Sequence, residues 1–406
     1  VSGALLPPLA PRSPPAGPRE HPICNVFCLR PRAGNLADEA VFGVVRSHVR
    51  SAFGPWVNLI SLPLGGDPLG RAGLTSRTVY DLNHCAHGVI ICGSADARST
   101  ESLDFDPQAL ENLDLPILGL GWAGQSYVDA EGTPAMRVLG LRADHQRALA
   151  ARTSWLLCRD APTRAWLQSA GAEHAVLGGC PTLTLEPEAI AWEEAHPDTG
   201  VLITVRDPAR MGIPASNRAE FVGALRDLIA TLRRQGHASV HLLCVDAQDL
   251  AFATSLARAD FLFVDQFSTF TDRLRHAELH ITFREDAALM CAALGHPFVH
   301  FACGADTRRP LEMAGLWQWS MGLDDLSGLG VRALQQAARF GELDALRIAA
   351  LPAWADFERV TARQFRRFAQ AVLDRRTEDA HRRAVPEGNP ALTSDETRVE
   401  VKRTPR

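Results

Sequence analysis

Three arginines stand where apolar runs give way to polar residues, each with an acid beside it. They are Arg159-Asp160 in "LLCRDAPTRAWL", Arg206-Asp207 in "LITVRDPAR" and Arg284-Glu285-Asp286 in "ITFREDAALMCAALGHPFV". A guanidinium grips carboxylate or phosphate in a two-pronged fork. Three of them at the ends of strands along one cleft point to an anionic ligand. The same residue types also serve buried arginine–carboxylate pairing inside the mouth of a sheet, and both readings stand at this point. "GNLADEAVF" (34–42) offers Gly34-Asn35 for a tight turn, then Asp38 and Glu39 in the first turn of a helix. Acids at that place are favoured by the helix dipole with no further role. "LGLGWAGQSY" (118–127) puts glycines and Gln125 after a strand, where the missing side chain lets a ligand approach the backbone.

Other constellations fail their templates. The glycines of 118–127 lack the G-x-G-x-x-G spacing and the acid on a second strand that a dinucleotide site needs. His84 and His87 with Cys85 have no second ligand pair at zinc spacing. "GLGWAG" has no serine for a nucleophile elbow. Cys24 and Cys28 are too far apart in sequence for a redox C-x-x-C. Trp317 and Trp319 can stack on a sugar ring, although such aromatics more often pack a core or a lid.

The elements that must position the charged joints follow from periodicity. Short apolar runs at 23–29, 56–62, 88–93, 116–122, 154–160 and 174–181 read as strands, alternating with helical patterns at 36–53 and 161–171. After a polar stretch at 191–200 the alternation restarts. Strands are expected at 201–207, 239–246, 260–267, 280–283 and 298–301, with helices at 217–236, 248–259, 268–277 (Ser268 as its cap) and 287–294. One or two long helices are expected over 344–376. Alternation of this kind implies parallel, doubly wound sheets with ligands at the carboxyl ends of the strands. The expected division is a disordered leader 1–22, an N-terminal Rossmann-like domain 23–195, a C-terminal one 196–343, helices 344–380 and a disordered tail 381–406, with a cleft between the two α/β domains.

The chain has 406 residues, 46% hydrophobic and 22% charged, enough for two cores. A net charge of −5 gives no basic excess for nucleic acid or an anionic membrane. Lys402 is the sole lysine, a bias that reads as high-GC bacterial coding. Nine cysteines scattered through apolar runs suit a reducing compartment. No apolar run is long enough to span a bilayer, so a cytoplasmic chain is expected.

In order, "GNLADEAVF", "LGLGWAGQ", "SWLLCRDAPTRAWLQSAG", "GGCPTLTL", "LITVRD" and "ITFREDAALMCAALGHPFV" resemble the polysaccharide pyruvyltransferase family over about residues 23–320. Asn35 to Asp38 matches the family's Asn-x-Gly-Asp turn with Ala37 in place of glycine. Arg159, Asp160 and Thr163 match its middle motif, and Gly179 to Thr182 its Gly-Cys-Pro-Ser/Thr run. The resemblance implies a glycosyltransferase-B-type pair of domains and a transferase without a cofactor or metal. That transferase moves a pyruvyl group from phosphoenolpyruvate to two saccharide hydroxyls as a cyclic ketal, in surface or exopolysaccharide biosynthesis. By the family's pattern Arg206 and Arg284 bind the donor, and Asn35 and Asp38 shape the N-terminal wall of the cleft. Gln125, Arg159 and Arg308 are further candidates for substrate contact, Arg308 for phosphate. Asp286 stands where the family has its acid/base histidine.

An ordinary aspartate, with a pKa of about 3.9, is a poor general acid at neutral pH unless its surroundings raise it. Three outcomes are open: Asp286 does the histidine's work, His280 or His296 replaces it, or the reaction is changed or lost. A glycosyltransferase using a nucleotide sugar and a binding protein on the same fold are the alternatives. A lipid-linked saccharide acceptor would bring the chain to the inner face of a membrane.

Overall fold

Gly88-Val-Ile-Ile-Cys92 is buried at every position, the mark of a central strand covered on both faces. Runs of this kind build the architecture. The computed structural model describes residues 23–31, 35–67, 69–93, 102–128, 132, 134–185, 200–237, 239–256 and 260–384, with backbone alone for 128, 134, 304–306 and 378–384. The expected leader 1–22, Gly34, the polar stretch at 191–199 and residues 385–406 of the tail lie outside the described residues.

The first half contributes β1 (Cys24–Arg30), β2 (Val57–Pro63), β3 (Gly88–Cys92), β4 (Ile117–Trp122), β5 (Gly124–Val128), β6 (Pro134–Val138), β7 (Trp155–Cys158) and β8 (Val176–Leu177). Six of these form a sheet in the order β2-β1-β3-β4-β7-β8, and β5 and β6 form a separate antiparallel hairpin. The second half contributes β9 (Val201–Thr204), β10 (Val240–Cys244), β11 (Asp260–Phe263), β12 (Leu279–Thr282), β13 (Phe298–Ala302) and β14 (Ser320–Gly322), in the order β11-β10-β9-β12-β13-β14. Every pairing within the two large sheets is parallel. The molecule is thus two Rossmann-like halves in a glycosyltransferase-B-type arrangement.

Each sheet has one place where its winding reverses. In the second sheet the chain runs from β9 outward to β10 and β11, then returns to lay β12 on the other side of β9. The connections leaving β9 and β12 therefore diverge and open a crevice at their carboxyl ends. In the first sheet the reversal falls between β1 and β3.

Four clusters of buried side chains fill the layers. One of them joins the halves: Leu36 and Ala40 from the helix Leu36–Phe53, Cys180 and Leu183 from the turn Pro181–Thr184, and Ala287 and Ala288 from the helix Glu285–Leu294. The last helix, Phe340–Ala384, is a second tie. Its early residues Leu343, Ala350 and Trp354 pack with the second half, and Trp354 Nε1 donates to the Ala314 carbonyl at 3.0 Å. Its later residues Phe365, Phe368 and Val372 pack against β1, β3 and β4 of the first half. Pro352 lies inside this helix.

Gly88 is the seat of that second tie. A Cβ there would stand 2.6 Å from Val372 Cγ2 and 2.8 Å from Phe368 Cζ. Overpacking costs about 1–3 kcal/mol, so Gly88→Val is expected to lower the melting temperature. The same change should expose the end of the helix Phe340–Ala384 to protease. Unchanged melting and unchanged proteolysis would show that this helix end is not seated on β3.

Two details differ from the sequence reading. The helix after β11 is Phe267–Arg275, its cap position is Gln266, and Ser268 lies within its first turn and does not cap it. Gly119 and Gly121 lie inside β4, the strand expected at 116–122, and not after it, and Gly124 and Gln125 start the hairpin that follows.

Candidate functional site

The crevice of the second sheet holds two of the arginines. Arg206 follows β9 and Arg284 follows β12, and both are fully buried. Arg284 lies in a ring of acids. Its Nε and Nη2 donate to the two oxygens of Asp286 at 3.1 and 2.8 Å, and Nη1 donates to Asp249 at 2.6 Å and Asp246 at 3.1 Å. Arg206 Nη1 donates to Glu285 Oε2 at 3.4 Å. Arg210, partly exposed, donates to Asp246 at 2.5 Å.

Local structure explains why the acids are there. Asp246 caps the helix Ala247–Ser255 by accepting from the N–H groups of Gln248 and Asp249. Asp249 also accepts from the Asp207 N–H at 3.2 Å. Glu285 and Asp286 open the helix Glu285–Leu294, where the positive end of the helix dipole favours them.

Among the described residues the ring holds more acids than arginines. Asp246, Asp249, Glu285 and Asp286 supply four carboxylates against the guanidinium groups of Arg206, Arg210 and Arg284. Burial pushes Asp249 up to about 6 against the attraction of Arg284, and the neighbouring Asp246 adds to the rise. Burial also works to raise Asp246, but Arg284, the cap bond and Arg210 outweigh it and hold Asp246 below its usual range. Of these two, Asp249 takes the proton first as pH falls.

The histidines near the motif face inward. His280 Nε2 shares a 2.6 Å hydrogen bond with Thr204 Oγ1, and Nδ1 lies 3.0 Å from Cys291 Sγ, under the helix Glu285–Leu294. Burial, helped by His296, drives His280 well below its ordinary range. Burial alone takes His296 down to about 4. Both imidazoles are buried. Asp286 is itself 3% exposed and occupied by the fork to Arg284.

The third arginine occupies a different place. Arg159 follows β7, and its backbone N–H donates to the Trp122 carbonyl at the end of β4. Asp160 caps the helix Ala161–Ser169 by accepting from the Thr163 N–H at 2.8 Å. Thr163 Oγ1 in turn accepts from the Gly124 N–H at 2.8 Å, tying the start of the hairpin to that helix. These residues form one wall of a narrow slot between the halves. Gly124, Gln125, Arg159, Asp160 and Cys180 line it from the first half, and Arg309, Pro310 and Met313 from the second. Its empty volume, open solvent at the mouth included, is about 430 Å³.

The remaining expected residues are also placed. Asn35 caps the helix Leu36–Phe53 by accepting from the Ala37 N–H, and Asp38 is buried in its first turn. Glu39 pairs with Arg30 at 2.7 Å. Arg308 stacks over the Trp317 ring at 5.5 Å, and it is Arg309 that lines the slot. Sequence reading missed Arg309, Asp246 and Asp249. Among the described residues no group of His, Cys, Asp and Glu is arranged to hold a metal ion. Among them, too, no helix is long and apolar enough to cross a membrane.

No protein-family model and no curated protein matches the chain. Solved structures match it at low identity. A UDP-GlcNAc 2-epimerase from Neisseria meningitidis bound to UDP-GlcNAc matches at 10% identity and a TM-score of 0.43, over 88% of this chain and 99% of that one. A UDP-N-acetylglucosamine 2-epimerase from Listeria monocytogenes, itself assigned provisionally, matches at 12% identity and a TM-score of 0.49, over 80% and 91%. The wall teichoic acid polymerase TagF matches at 14% identity and a TM-score of 0.46, over 88% and 89%.

Proposed function

We propose that the chain is a cytoplasmic transferase that binds an anionic donor between its halves and passes a group from it to a saccharide. The donor favoured by the sequence resemblance is phosphoenolpyruvate. The observation that carries the reading is convergence. The segments beginning at Leu36, Cys180 and Ala287, far apart in sequence, share one buried cluster between the halves. The Arg159 and Cys180 segments also share the slot. Motifs that serve separate cores have no reason to meet there.

In the proposed reaction the methylene carbon of phosphoenolpyruvate gains a proton and its C2 takes the oxygens of two saccharide hydroxyls. Each hydroxyl loses its proton, and inorganic phosphate leaves from C2. The cleft must hold a carboxylate and a phosphate at once, and guanidinium groups suit both. Arg206 and Arg284 stand at the crevice where donor binding is proposed, with Arg284 held rigid by its acids. Asn35 and Asp38 belong to the helix that packs on the opposite wall. Asp286 is the acid/base candidate by the resemblance, and the fork it accepts from Arg284 holds its carboxylate in place.

The test is product formation. Purified protein, phosphoenolpyruvate and a panel of bacterial surface saccharides are expected to release inorganic phosphate and yield an acid-labile pyruvyl ketal seen by mass spectrometry. Transfer from a nucleotide sugar under the same conditions, with phosphoenolpyruvate inert, would replace this reading with glycosyl transfer.

A further inference from the structure

We propose that the outward face of the helix Phe340–Ala384, over residues 348–373, docks on an anionic lipid bilayer. The proposal goes beyond the transfer reading and needs no donor. Helical spacing puts Ile348, Pro352, Ala355, Arg359, Arg366 and Leu373 in one stripe, three, four or seven residues apart, and every one of them is exposed. The inward side carries Trp354, Phe365, Phe368 and Val372, which pack into the two halves. The helix therefore ties the halves with one side and presents the other to its surroundings.

The outward face changes character along its length. From Ile348 to Ala355 the sequence has no charged residue. Ile348 is 67% exposed and Leu351 48%. Apolar exposure concentrated in this way marks a contact surface. From Arg359 onward the face is basic. Arg359 pairs with Asp356. Among the described residues, Arg363, Arg366 and Arg367 make no hydrogen bond or ion pair. Arg363 and Arg367 also line a groove with Trp155 and His174 of the first half. The one acid lining that groove, Asp374, accepts from Gln370 at 2.7 Å. Leu373, exposed again, closes the stripe.

Charge and apolarity together decide the occupant. Three guanidinium groups beside exposed Ile348, Leu351 and Leu373 suit a surface that is anionic at its headgroups and apolar beneath them. Arginine stems can lie along the acyl boundary while their heads reach phosphate. The stripe is about 37 Å long at the helical rise, a length that suits an extended surface better than a single small ligand.

Co-sedimentation of the full chain with vesicles tests this. The vesicles are phosphatidylcholine alone, or phosphatidylcholine with about a third phosphatidylglycerol, each at low and at high salt. Wild type is expected to pellet with the anionic vesicles, to be released by salt and to leave the neutral ones unbound. Arg363→Gln, Arg366→Gln and Arg367→Gln combined should weaken binding about a hundredfold, at roughly fivefold per arginine. Ile348→Ser with Leu351→Ser should weaken it about tenfold and leave the salt dependence in place. All five positions are exposed, so both variants are expected to melt as wild type does.

The proposal is overturned if wild type does not pellet with anionic vesicles, or if the arginine variant binds them as wild type does. Salt-insensitive binding to both kinds of vesicle overturns it too. A concentration-dependent dimer that is lost in the serine variant, with no vesicle binding, would give the face to a second copy of this chain instead. Vesicle binding that persists while phosphoenolpyruvate is inert leaves the docking surface standing and removes only the pyruvyl reading.

Discussion

Arg284→Ala loses about 3–5 kcal/mol of stability, the usual cost of removing one partner from a buried ion pair. The change strands Asp249 and Asp286, both almost fully buried, and leaves Asp246 with Arg210 alone as its guanidinium partner. Urea unfolding at neutral pH should show a lower midpoint with an unchanged slope. Adding Asp249→Asn to Arg284→Ala should restore part of the loss, because it removes one of the stranded charges. A loss under about 1 kcal/mol, the scale of an exposed pair, would mean that the acids do not depend on Arg284. The size of the expected loss also makes this variant a poor probe of ligand binding. An absent ligand response would then report an unfolded protein.

The second large effect is a dependence of stability on pH through Asp249. Its folded pKa, about 6, lies above the ordinary carboxylate value of 3.8. The folded protein therefore holds a proton there that the unfolded chain has already released. The stability from this group is fully present below the unfolded value and is lost as pH rises through about 6. A shift of two units corresponds to about 3 kcal/mol across that window. Asp246 acts with the opposite sign, because its folded pKa is depressed: its contribution is present above the ordinary value and lost as pH falls through its folded one. That loss falls at lower pH, so Asp249 governs the interval between. Between pH 4.5 and 7 the wild type is expected to lose about 2 kcal/mol more than Asp249→Asn. Parallel pH profiles for the two proteins would place the proton elsewhere.

Much of the scaffold was legible because parallel strands in the middle of a sheet announce themselves. "GVIIC" is a continuous apolar run and "FVHFA" one broken only by His300, and they lie in β3 and β13 as expected. The hairpin of β5 and β6 was not legible, since "GQSYV" and "PAMRV" are short and mixed in polarity. Asp246 and Asp249 were invisible as partners of Arg284 because they come from another strand–helix unit, 38 and 35 residues away. Only the folded sheet brings the ends of β10 and β12 to one mouth. The Arg308-Arg309 pair shows the same limit on a helix. Adjacent residues point about 100° apart around the axis, so one stacks on Trp317 and the other faces the slot. The order of motifs along the chain was readable; their meeting between the halves required the fold.

The most direct test of an anionic donor held between the halves is the melting temperature of the full chain with millimolar phosphoenolpyruvate and, separately, with a UDP-sugar. A ligand at about 100 times its dissociation constant adds ~2.7 kcal/mol to the folded state, a shift that is easily read. The account predicts a rise with phosphoenolpyruvate that is absent with the UDP-sugar. A rise with the UDP-sugar alone, or with neither ligand, would contradict it.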